Sequence, residues 1–268
     1  MKRLTSKEIQ TLELEILIEF DRICKLHGLR YYLAGGTLLG AIRHKGFIPW
    51  DDDIDICMPR KEYIKFLSMS DQLPKHLEVR SNLKNNFVFP FTKLINLDTR
   101  IELNLTHGNT DDHLWVDVFP VDGLPDDIEE VSTIYTKCNF YRTILGLNDA
   151  RLGEGLTTFR KYMKYLLKPI ACIYGSKRCT DNIERIAAMY PYDEAKYVGV
   201  ITWGLYGVGE RMLKSEFEKA VEVEFEGQKF PTFSCWDSYL KGLYGDYMQL
   251  PPVEKRKTHE MVAYLIEE

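Results

Sequence analysis

The first 28 residues carry a helical pattern of apolar positions. Apolar side chains recur every three or four residues, at Ile9, Leu12, Ile16, Phe20 and Ile23. Thr5 and Glu8 have the spacing of a capping box, and Gly28 is suited to end a helix. The pattern predicts an amphipathic helix that begins after Thr5 and ends at Gly28.

The rest of the chain mixes strand and helix patterns. Apolar runs predict strands at residues 29–33, 52–58, 77–81, 88–97, 100–105 and 114–118, and helices at 37–43 and 60–70. Residues 126–190 have a mostly helical pattern. Further on, residues 220–225 and 228–230 flank Glu226-Gly227 as a hairpin, and Ser234 caps a helix that ends at Tyr244. We predict an α+β fold with a mixed β-sheet, divided into a catalytic core (1–125) and a helical region with a C-terminal hairpin and helix (126–268) packed against it.

Carboxylates interrupt two of these strand patterns. In Asp51-Asp52-Asp53-Ile54-Asp55-Ile56, strand alternation places Asp53 and Asp55 on one face, and Asp117 lies between Val116 and Val118. Buried carboxylates are costly unless they are paired or bind a metal. We therefore predict that Asp53, Asp55 and Asp117 are catalytic and bind Mg²⁺, with Mn²⁺ as an alternative. A solvated acidic turn, and for Asp117 an ion pair with Lys or Arg or a role as general base, are the other interpretations.

A calcium loop of the EF-hand type is excluded by one residue. Asp51, Asp53, Asp55 and Glu62 fall at loop positions one, three, five and twelve. The sixth position needs a glycine for its sharp turn, and this chain has Ile56 there.

A second motif indicates phosphate binding. Gly35-Gly36-Thr37 follows a predicted strand and begins a predicted helix, whose free amides favour an anion. We predict that these three residues bind the phosphates of a substrate. Five further candidates for substrate binding are cationic or aromatic residues near the motifs or in the C-terminal segment: Arg43, Trp50, Lys93, Tyr244 and Arg256.

Composition limits the classes of function. The 268 residues carry a formal net charge of −5, which argues against a nucleic-acid-binding protein. Six scattered cysteines and the absence of a signal-peptide or membrane-span pattern predict a cytoplasmic protein. Cys172 and Cys179, the closest pair, are either ordinary buried thiols or zinc ligands.

One stretch is basic despite the acidic whole. Residues 151–190 contain eight Lys or Arg against three Asp or Glu. Within it, residues 159–168 have the composition of a basic amphipathic helix. Such a helix either docks on an anionic membrane surface or is simply solvated, so peripheral contact with the inner face of the plasma membrane is one of our expectations.

Four blocks together resemble the LicD family of phosphocholine transferases, relatives of the fukutin-type proteins in the nucleotidyltransferase superfamily. The blocks are Leu33–Gly46, Ile48–Asp55, Val116–Pro120 and Tyr244–Pro252. The resemblance implies a nucleotidyltransferase-like core in which Gly35, Gly36 and Thr37 hold donor phosphates and Asp53, Asp55 and Asp117 bind Mg²⁺. It also implies transfer of phosphocholine from CDP-choline to a sugar hydroxyl of a lipid-linked glycan, the precursor of a teichoic acid or lipooligosaccharide, with release of CMP.

The residues themselves leave the reaction open. The same acids serve transfer of another phospho-alcohol, such as ribitol or glycerol phosphate, from a CDP donor. They also serve nucleotidyl transfer from a nucleoside triphosphate to a small hydroxylated molecule. A catalytically silent glycan-binding or docking protein is a third hypothesis, disfavoured because like charges held together without a metal cost stability.

Overall fold

The computed structural model describes residues 1–103, 112–150, 152–153, 158–256 and 261–266, with only the backbone described at 103, 158–161 and 255. The first helix has the predicted capping box: Thr5 Oγ1 accepts from the Glu8 amide, the Glu8 carboxylate accepts from the Thr5 amide, and Gly28 ends the helix in the left-handed conformation. The helices are α1 (Ser6–His27), α2 (Gly35–His44), α3 (Arg60–Ser68), α4 (Ile128–Asp149), α5 (Thr158–Tyr174), α6 (Ser176–Ala187), α7 (Lys214–Phe217) and α8 (Trp236–Tyr244).

Stretches of consecutive strands and stretches of consecutive helices follow one another along the chain, so the predicted α+β class is confirmed. The strands are β1 (Lys2–Arg3), β2 (Tyr32–Leu33), β3 (Asp55–Pro59), β4 (Leu77–Ser81), β5 (Thr92–Asn96), β6 (Thr99–Leu103), β7 (Leu114–Leu124), β8 (Tyr197–Gly199), β9 (Met212–Leu213), β10 (Ala220–Phe225), β11 (Gln228–Phe233) and β12 (Met261–Leu265).

Several predicted bounds were wrong. The strand placed at 52–58 begins only at Asp55, because the acidic residues before it form a loop. The strand placed at 88–97 is confined to β5, and β7 runs six residues beyond Val118. Ser234 does not cap α8. Its hydroxyl donates to the Glu216 carbonyl, and Cys235 precedes the first helical residue. Residues 104–105 of a predicted strand lie outside the described residues.

The central sheet has the strand order β2-β3-β7-β5-β4. β3 and β7 pair in parallel, whereas β2, β5 and β4 pair antiparallel to their neighbours, so the sheet is mixed. In this register Asp117 of β7 lies between Asp55 of β3 and Lys93 of β5. The distal half of β7 pairs with β8, through Asp122 and Gly199, which attaches the chain beyond residue 196 to the sheet.

The largest hydrophobic core joins distant parts of the chain. It contains side chains of α1 and the central sheet together with Phe225 and Phe230 of the β10-β11 hairpin and Leu240 of α8. A second core lies between α4 and α6, and a third under the β1-β12-β6 sheet. The C-terminal hairpin and helix thus pack in the same core as the central sheet. The boundary near residue 125 stays a prediction.

Helix α5 has an exposed apolar face. Tyr162, Leu166, Ile170 and Ile173 follow one another at spacings of four, four and three residues, and all four are exposed. None of the described helices is long and apolar enough to cross a membrane. Of the two neighbouring cysteines, Cys179 is buried and Cys172 is exposed.

Candidate active site

Three carboxylates converge at the edge of the central sheet. Asp55 is the first residue of β3, Asp117 lies beside it in β7, and Asp53 lies in the loop before β3. One oxygen from each of the three lies within 4.8 Å of the others. Within the part of the chain that the structure describes, this acid triad (Asp53, Asp55, Asp117) is the one acidic, His or Cys group with metal-ligand spacing.

The acid triad is electrostatically suited to a cation. Burial raises the pKa of Asp55 well above its ordinary value, and the charges of Asp53, Asp117 and Asp51 raise it further. A divalent cation would relieve both causes, since it replaces lost hydration and compensates the like charges. An all-oxygen donor set suits hard ions such as Mg²⁺ and Mn²⁺. The residues therefore fit the predicted metal, with Asp53, Asp55 and Asp117 as its ligands.

The glycine pair touches this acid triad directly. Gly35 has a φ of 51°, and a Cβ built there would lie 2.5 Å from Asp55 Oδ2. A Cβ on Gly36 would lie 2.8 Å from Asp51 Oδ2, and the Gly36 amide donates to Asp55 Oδ2 at 3.4 Å. The start of α2 can approach the carboxylates this closely only because both residues lack a side chain. The start of α2 thus lies side by side with the carboxylates that we predict to bind a metal.

Thr37 holds the strand that carries Asp55. Its buried hydroxyl accepts a hydrogen bond of 2.7 Å from the Asp55 amide. This bond satisfies the backbone amide of the first residue of β3. Thr37 therefore positions one carboxylate, whatever it contributes to phosphate binding.

Lys93 is the cation nearest to the triad on the sheet. Its Nζ lies 3.9 Å from Asp117 Oδ1 and 3.5 Å from the centroid of the Trp115 ring. Both Lys93 and Asp117 are buried. Ammonium groups are attracted to aromatic faces as well as to carboxylates, so Lys93 is held by two favourable contacts.

A cavity of about 310 Å³ adjoins the acid triad, whose three side chains are part of its lining. We call it the aromatic chamber, because much of the remaining lining consists of Trp115, Phe119, Trp203, Tyr206, Tyr239 and Tyr244. The Tyr239 hydroxyl accepts from the Gly35 amide at 3.3 Å, which joins the chamber to the glycine pair. The Tyr206 and Tyr244 rings pack edge to face at 5.2 Å.

One further carboxylate lines the aromatic chamber. Glu210 is 4% exposed, and its Oε1 accepts from the Tyr206 amide at 3.4 Å. Burial raises its pKa to about 7, although the Tyr206 amide and the charge of Arg142 act in the opposite direction. Among the described residues, no Lys, Arg or His nitrogen lies within 4.0 Å of this carboxylate. Glu210 is thus a buried acid without a close counter-charge.

Three predicted substrate-binding residues gather elsewhere. The Arg256 guanidinium carbon lies 4.6 Å from the Trp50 ring centroid, and Arg43 donates to the Tyr247 carbonyl at 2.7 Å. Burial lowers the pKa of Arg43, and the nearby charge of Arg256 lowers it too. None of the three belongs to the lining of the aromatic chamber. The predicted residues therefore form two groups: one around the triad and chamber, and this cationic group beside them.

Glu13 of α1 was missed by the sequence interpretation. Its side chain is fully buried, and neither carboxylate oxygen has a hydrogen-bond partner among the described residues. Burial raises its pKa well above the ordinary value, followed by the charges of Asp53, Asp52, Asp51 and Asp117. One turn earlier, Gln10 donates to the Asp51 carbonyl at 3.0 Å. This face of α1 therefore packs against the acidic loop formed by Asp51, Asp52 and Asp53.

Signals for the missed residues were present in the sequence. Glu13 stands four residues after Ile9 and three before Ile16, so the helical period alone places it on the buried face. The segment Trp203-Gly204-Leu205-Tyr206-Gly207 combines aromatic residues with glycines, as binding loops commonly do. Its distance along the chain from the acid motifs gave no reason to connect the two.

Comparisons with known proteins identify the family of this chain. Residues 28–145 match the family model "LicD/FKTN/FKRP, nucleotidyltransferase domain", a range that contains the whole acid triad. The lipopolysaccharide cholinephosphotransferase LicD of Haemophilus influenzae is 32% identical over 273 aligned positions, which cover 99% of this chain and 100% of that protein.

The chain belongs to the LicD family. Other relatives match shorter stretches: the human ribitol 5-phosphate transferase FKRP is 62% identical over 29 residues, 11% of this chain and 6% of FKRP. An uncharacterised protein of Rickettsia typhi is 28% identical over 125 residues, 46% of this chain and 38% of that protein. The resemblance to the LicD family seen in the sequence motifs is thereby confirmed, and the named relatives are transferases of phosphorylated alcohols.

Proposed function

We propose that this LicD family protein transfers phosphocholine from CDP-choline to a sugar hydroxyl of a lipid-linked glycan and releases CMP. The observation that carries the proposal is the acid triad, held against the glycine pair, in a chain similar along its whole length to a cholinephosphotransferase. Precursors of teichoic acid or lipooligosaccharide are the glycans that this activity would modify.

The residues of the triad would hold Mg²⁺ or Mn²⁺ through Asp53, Asp55 and Asp117. When bound, the ion supplies charge stabilisation for the phosphates of the donor. The chain itself contributes the glycine pair, whose missing side chains leave room for phosphate oxygens beside the triad, and Thr37, which fixes the position of Asp55. Lys93 beside Asp117 adds positive charge to the same site.

The transfer requires one bond to form and one to break. The sugar hydroxyl oxygen bonds to the phosphorus next to choline, and the bond from that phosphorus to the CMP oxygen breaks. CMP leaves with the electron pair, and the hydroxyl proton passes to a carboxylate, for which we propose Asp117. Exclusion of water by the aromatic lining limits hydrolysis of the donor.

Donor competition tests the reaction type. The protein is incubated with Mg²⁺ and CDP-choline, CDP-ribitol, CDP-glycerol, CTP or ATP, with and without a lipid-linked glycan, and CMP or pyrophosphate is identified by mass spectrometry. We expect acceptor-dependent release of CMP from CDP-choline, lost in Asp53→Asn and kept in Asp71→Asn, whose parent side chain is exposed and remote in sequence from the triad. Pyrophosphate release from a triphosphate would instead show nucleotidyl transfer.

A second candidate function is transfer of ribitol or glycerol phosphate from a CDP donor. The match to FKRP, a ribitol 5-phosphate transferase, favours this candidate. It uses the same triad and differs only in the alcohol. Preference for CDP-ribitol or CDP-glycerol in the same experiment would select it.

The exposed face of α5 suits a lipid-linked acceptor. Tyr162, Leu166, Ile170 and Ile173 form one apolar stripe, and Ile173 is 82% exposed. Residues 151–190 around it carry five more basic than acidic residues. An apolar stripe within a basic segment complements an anionic bilayer, so we propose peripheral docking of this face on the inner leaflet of the plasma membrane.

Vesicle sedimentation tests the docking. We expect the protein to sediment with vesicles that contain 30% phosphatidylglycerol more than with pure phosphatidylcholine, and the double variant Leu166→Ser/Ile173→Ser to lose most of this binding. Leu26→Ser is the matched control, because Leu26 is equally exposed but lies at the end of α1. Equal binding by all three proteins would refute docking through α5.

A further inference from the structure

The proposed function leaves open which side chains recognise the alcohol of the donor, and the aromatic chamber has the chemistry to do so. We propose that the aromatic chamber binds the quaternary ammonium group of choline, with Glu210 as the counter-charge. This inference rests on the proposed transfer from CDP-choline, because it names the side chains that would recognise the choline of that donor.

The lining matches a cation that cannot donate hydrogen bonds. A trimethylammonium group is recognised by the faces of aromatic rings and by nearby negative charge. The chamber offers six aromatic side chains, Glu210 and the acid triad, and no Lys or Arg of the described part of the chain belongs to its lining. A polyol such as ribitol would instead bury several hydroxyl groups against aromatic rings. Each hydroxyl group that finds no hydrogen-bond partner there would weaken binding.

The size of the chamber agrees with one end of the donor. Its 310 Å³ is at the lower limit of the roughly 300 to 1,000 Å³ found for pockets that enclose drug-sized ligands. A whole nucleotide diphosphate ester exceeds that space, so only one end of the donor enters. The acidic lining favours the cationic end over the uncharged cytosine. Because the triad is part of the same lining, the adjacent phosphate would lie next to the metal ligands.

The environment of the Glu210 carboxylate is one that a bound cation would stabilise. Glu210 is almost fully buried, and its carboxylate accepts a hydrogen bond from the Tyr206 amide. The titratable groups that face it are Arg142 and Tyr135 of α4, Tyr239 and Tyr244 of α8, Tyr206 of its own loop, and Cys57 of β3. Arg142 is the one cation among them, and it donates to the carbonyls of Ile201 and Thr202. A fixed positive charge in the chamber would compensate the buried carboxylate.

A neutral analogue of the donor isolates the role of charge. In the 3,3-dimethylbutyl ester of CDP, a carbon atom replaces the nitrogen of choline. The group keeps nearly the same shape but carries no charge. Binding of both compounds to the Mg²⁺-loaded protein is measured by calorimetry, so the readout does not depend on turnover. We expect wild-type protein to bind CDP-choline at least tenfold more tightly than the analogue, a preference that increases from pH 6 to pH 8 as Glu210 ionises.

Variants then assign the preference to named side chains. Glu210→Gln should lose the preference and its pH dependence while binding of the analogue stays within about twofold. Glu216→Gln, a change of an exposed acid, should leave both affinities unchanged. At Tyr206, which is partly exposed, Leu should reduce the preference several-fold and Phe should retain it, because Phe keeps the ring.

The outcomes separate this inference from the proposed function. If wild-type protein binds the analogue as tightly as CDP-choline, or if Glu210→Gln weakens both compounds equally, the chamber does not recognise the charge and the inference is wrong, even where phosphocholine is transferred. If CDP-choline neither binds nor turns over while another donor does, the proposed donor fails as well.

Discussion

Lys93 and Asp117 lie opposite each other on adjacent antiparallel strands, with Nζ 3.9 Å from Oδ1 and both side chains buried. In the metal-free protein this lysine is a source of positive charge for the acid triad. We therefore expect the pair to link the stability of the fold to occupation of the proposed metal site.

Replacement of Lys93 should make stability depend on metal. Lys93→Met leaves Asp117 without that cation, and breaking a buried pair costs on the order of 3 kcal/mol in the free energy of unfolding. We expect this loss in EDTA and a smaller one in 10 mM Mg²⁺, measured by urea denaturation followed by circular dichroism. Lys75→Met, at an exposed position, should change neither value. An identical loss with and without Mg²⁺ would contradict the link.

Gly35 and Gly28 provide a matched pair of substitutions. Both have positive φ, 51° and 62°, but a Cβ on Gly35 would meet Asp55 Oδ2 at 2.5 Å, whereas one on Gly28 would meet nothing within 4 Å. Each change to Ala should cost about 1 kcal/mol from backbone strain. Only Gly35→Ala should also weaken Mg²⁺ binding, by tenfold or more in calorimetry, because it displaces a ligand. Equal Mg²⁺ affinity in the two variants would show that Asp55 is not a ligand at this site.

Thr37 should stabilise the protein through the hydrogen bond to its hydroxyl oxygen rather than through the packing of its side chain. Thr37→Val leaves the Asp55 amide without its acceptor, a loss of about 1 to 3 kcal/mol in stability. Thr37→Ser keeps the oxygen and should keep most of the stability and of the Mg²⁺ affinity. Thermal denaturation of the three proteins measures the effect. A Ser variant as unstable as Val would indicate that the methyl group, not the hydrogen bond, is decisive.

Glu210 should give the protein a distinctive pH dependence. Its pKa is raised from 4.5 to about 7, so between these values the folded protein retains a proton that the unfolded chain has released. This contribution to stability is therefore full below pH 4.5 and lost as the pH rises through 7, a change of about 3 kcal/mol. The wild-type minus Glu210→Gln difference in unfolding free energy, measured at intervals from pH 5 to 8 without donor, should decline by about 2.5 kcal/mol, because part of the contribution is already lost at pH 5. A flat difference would mean that Glu210 ionises normally.

Glu13 should support the site without binding metal. It is not among the carboxylates with metal-ligand spacing, and its raised pKa favours the neutral form. Glu13→Gln, of the same size, should leave Mg²⁺ affinity within about twofold of wild type in calorimetry. A tenfold loss would instead make Glu13 a fourth ligand.

The sequence predicted the elements better than their contacts. The capping box of α1, the α+β class and the β10-β11 hairpin depend on short-range patterns, and they were confirmed. The register that sets Lys93 against Asp117, and the pairing of β8 with β7 that brings Trp203 and Tyr206 to the triad, depend on long-range association. No local periodicity encodes such pairings, so the chamber lining and Glu210 could be found only in the folded chain. The sequence placed Asp53 in a strand because polar and apolar residues alternate from Asp53 to Ile56. In the structure the strand begins at Asp55, since the crowded carboxylates before it favour a loop.

The walls of the aromatic chamber come from two separate stretches of the chain. The acid triad and Gly35 lie within residues 28–145, the range that matches the family model, whereas Trp203, Tyr206, Glu210, Tyr239 and Tyr244 lie beyond it. The proposed metal ligands and most of the proposed choline site therefore lie in different segments of the chain. We therefore expect that substitutions in the later segment can change which alcohol is accepted while the proposed metal ligands stay unchanged, so that one acid triad could serve transferases of different alcohols.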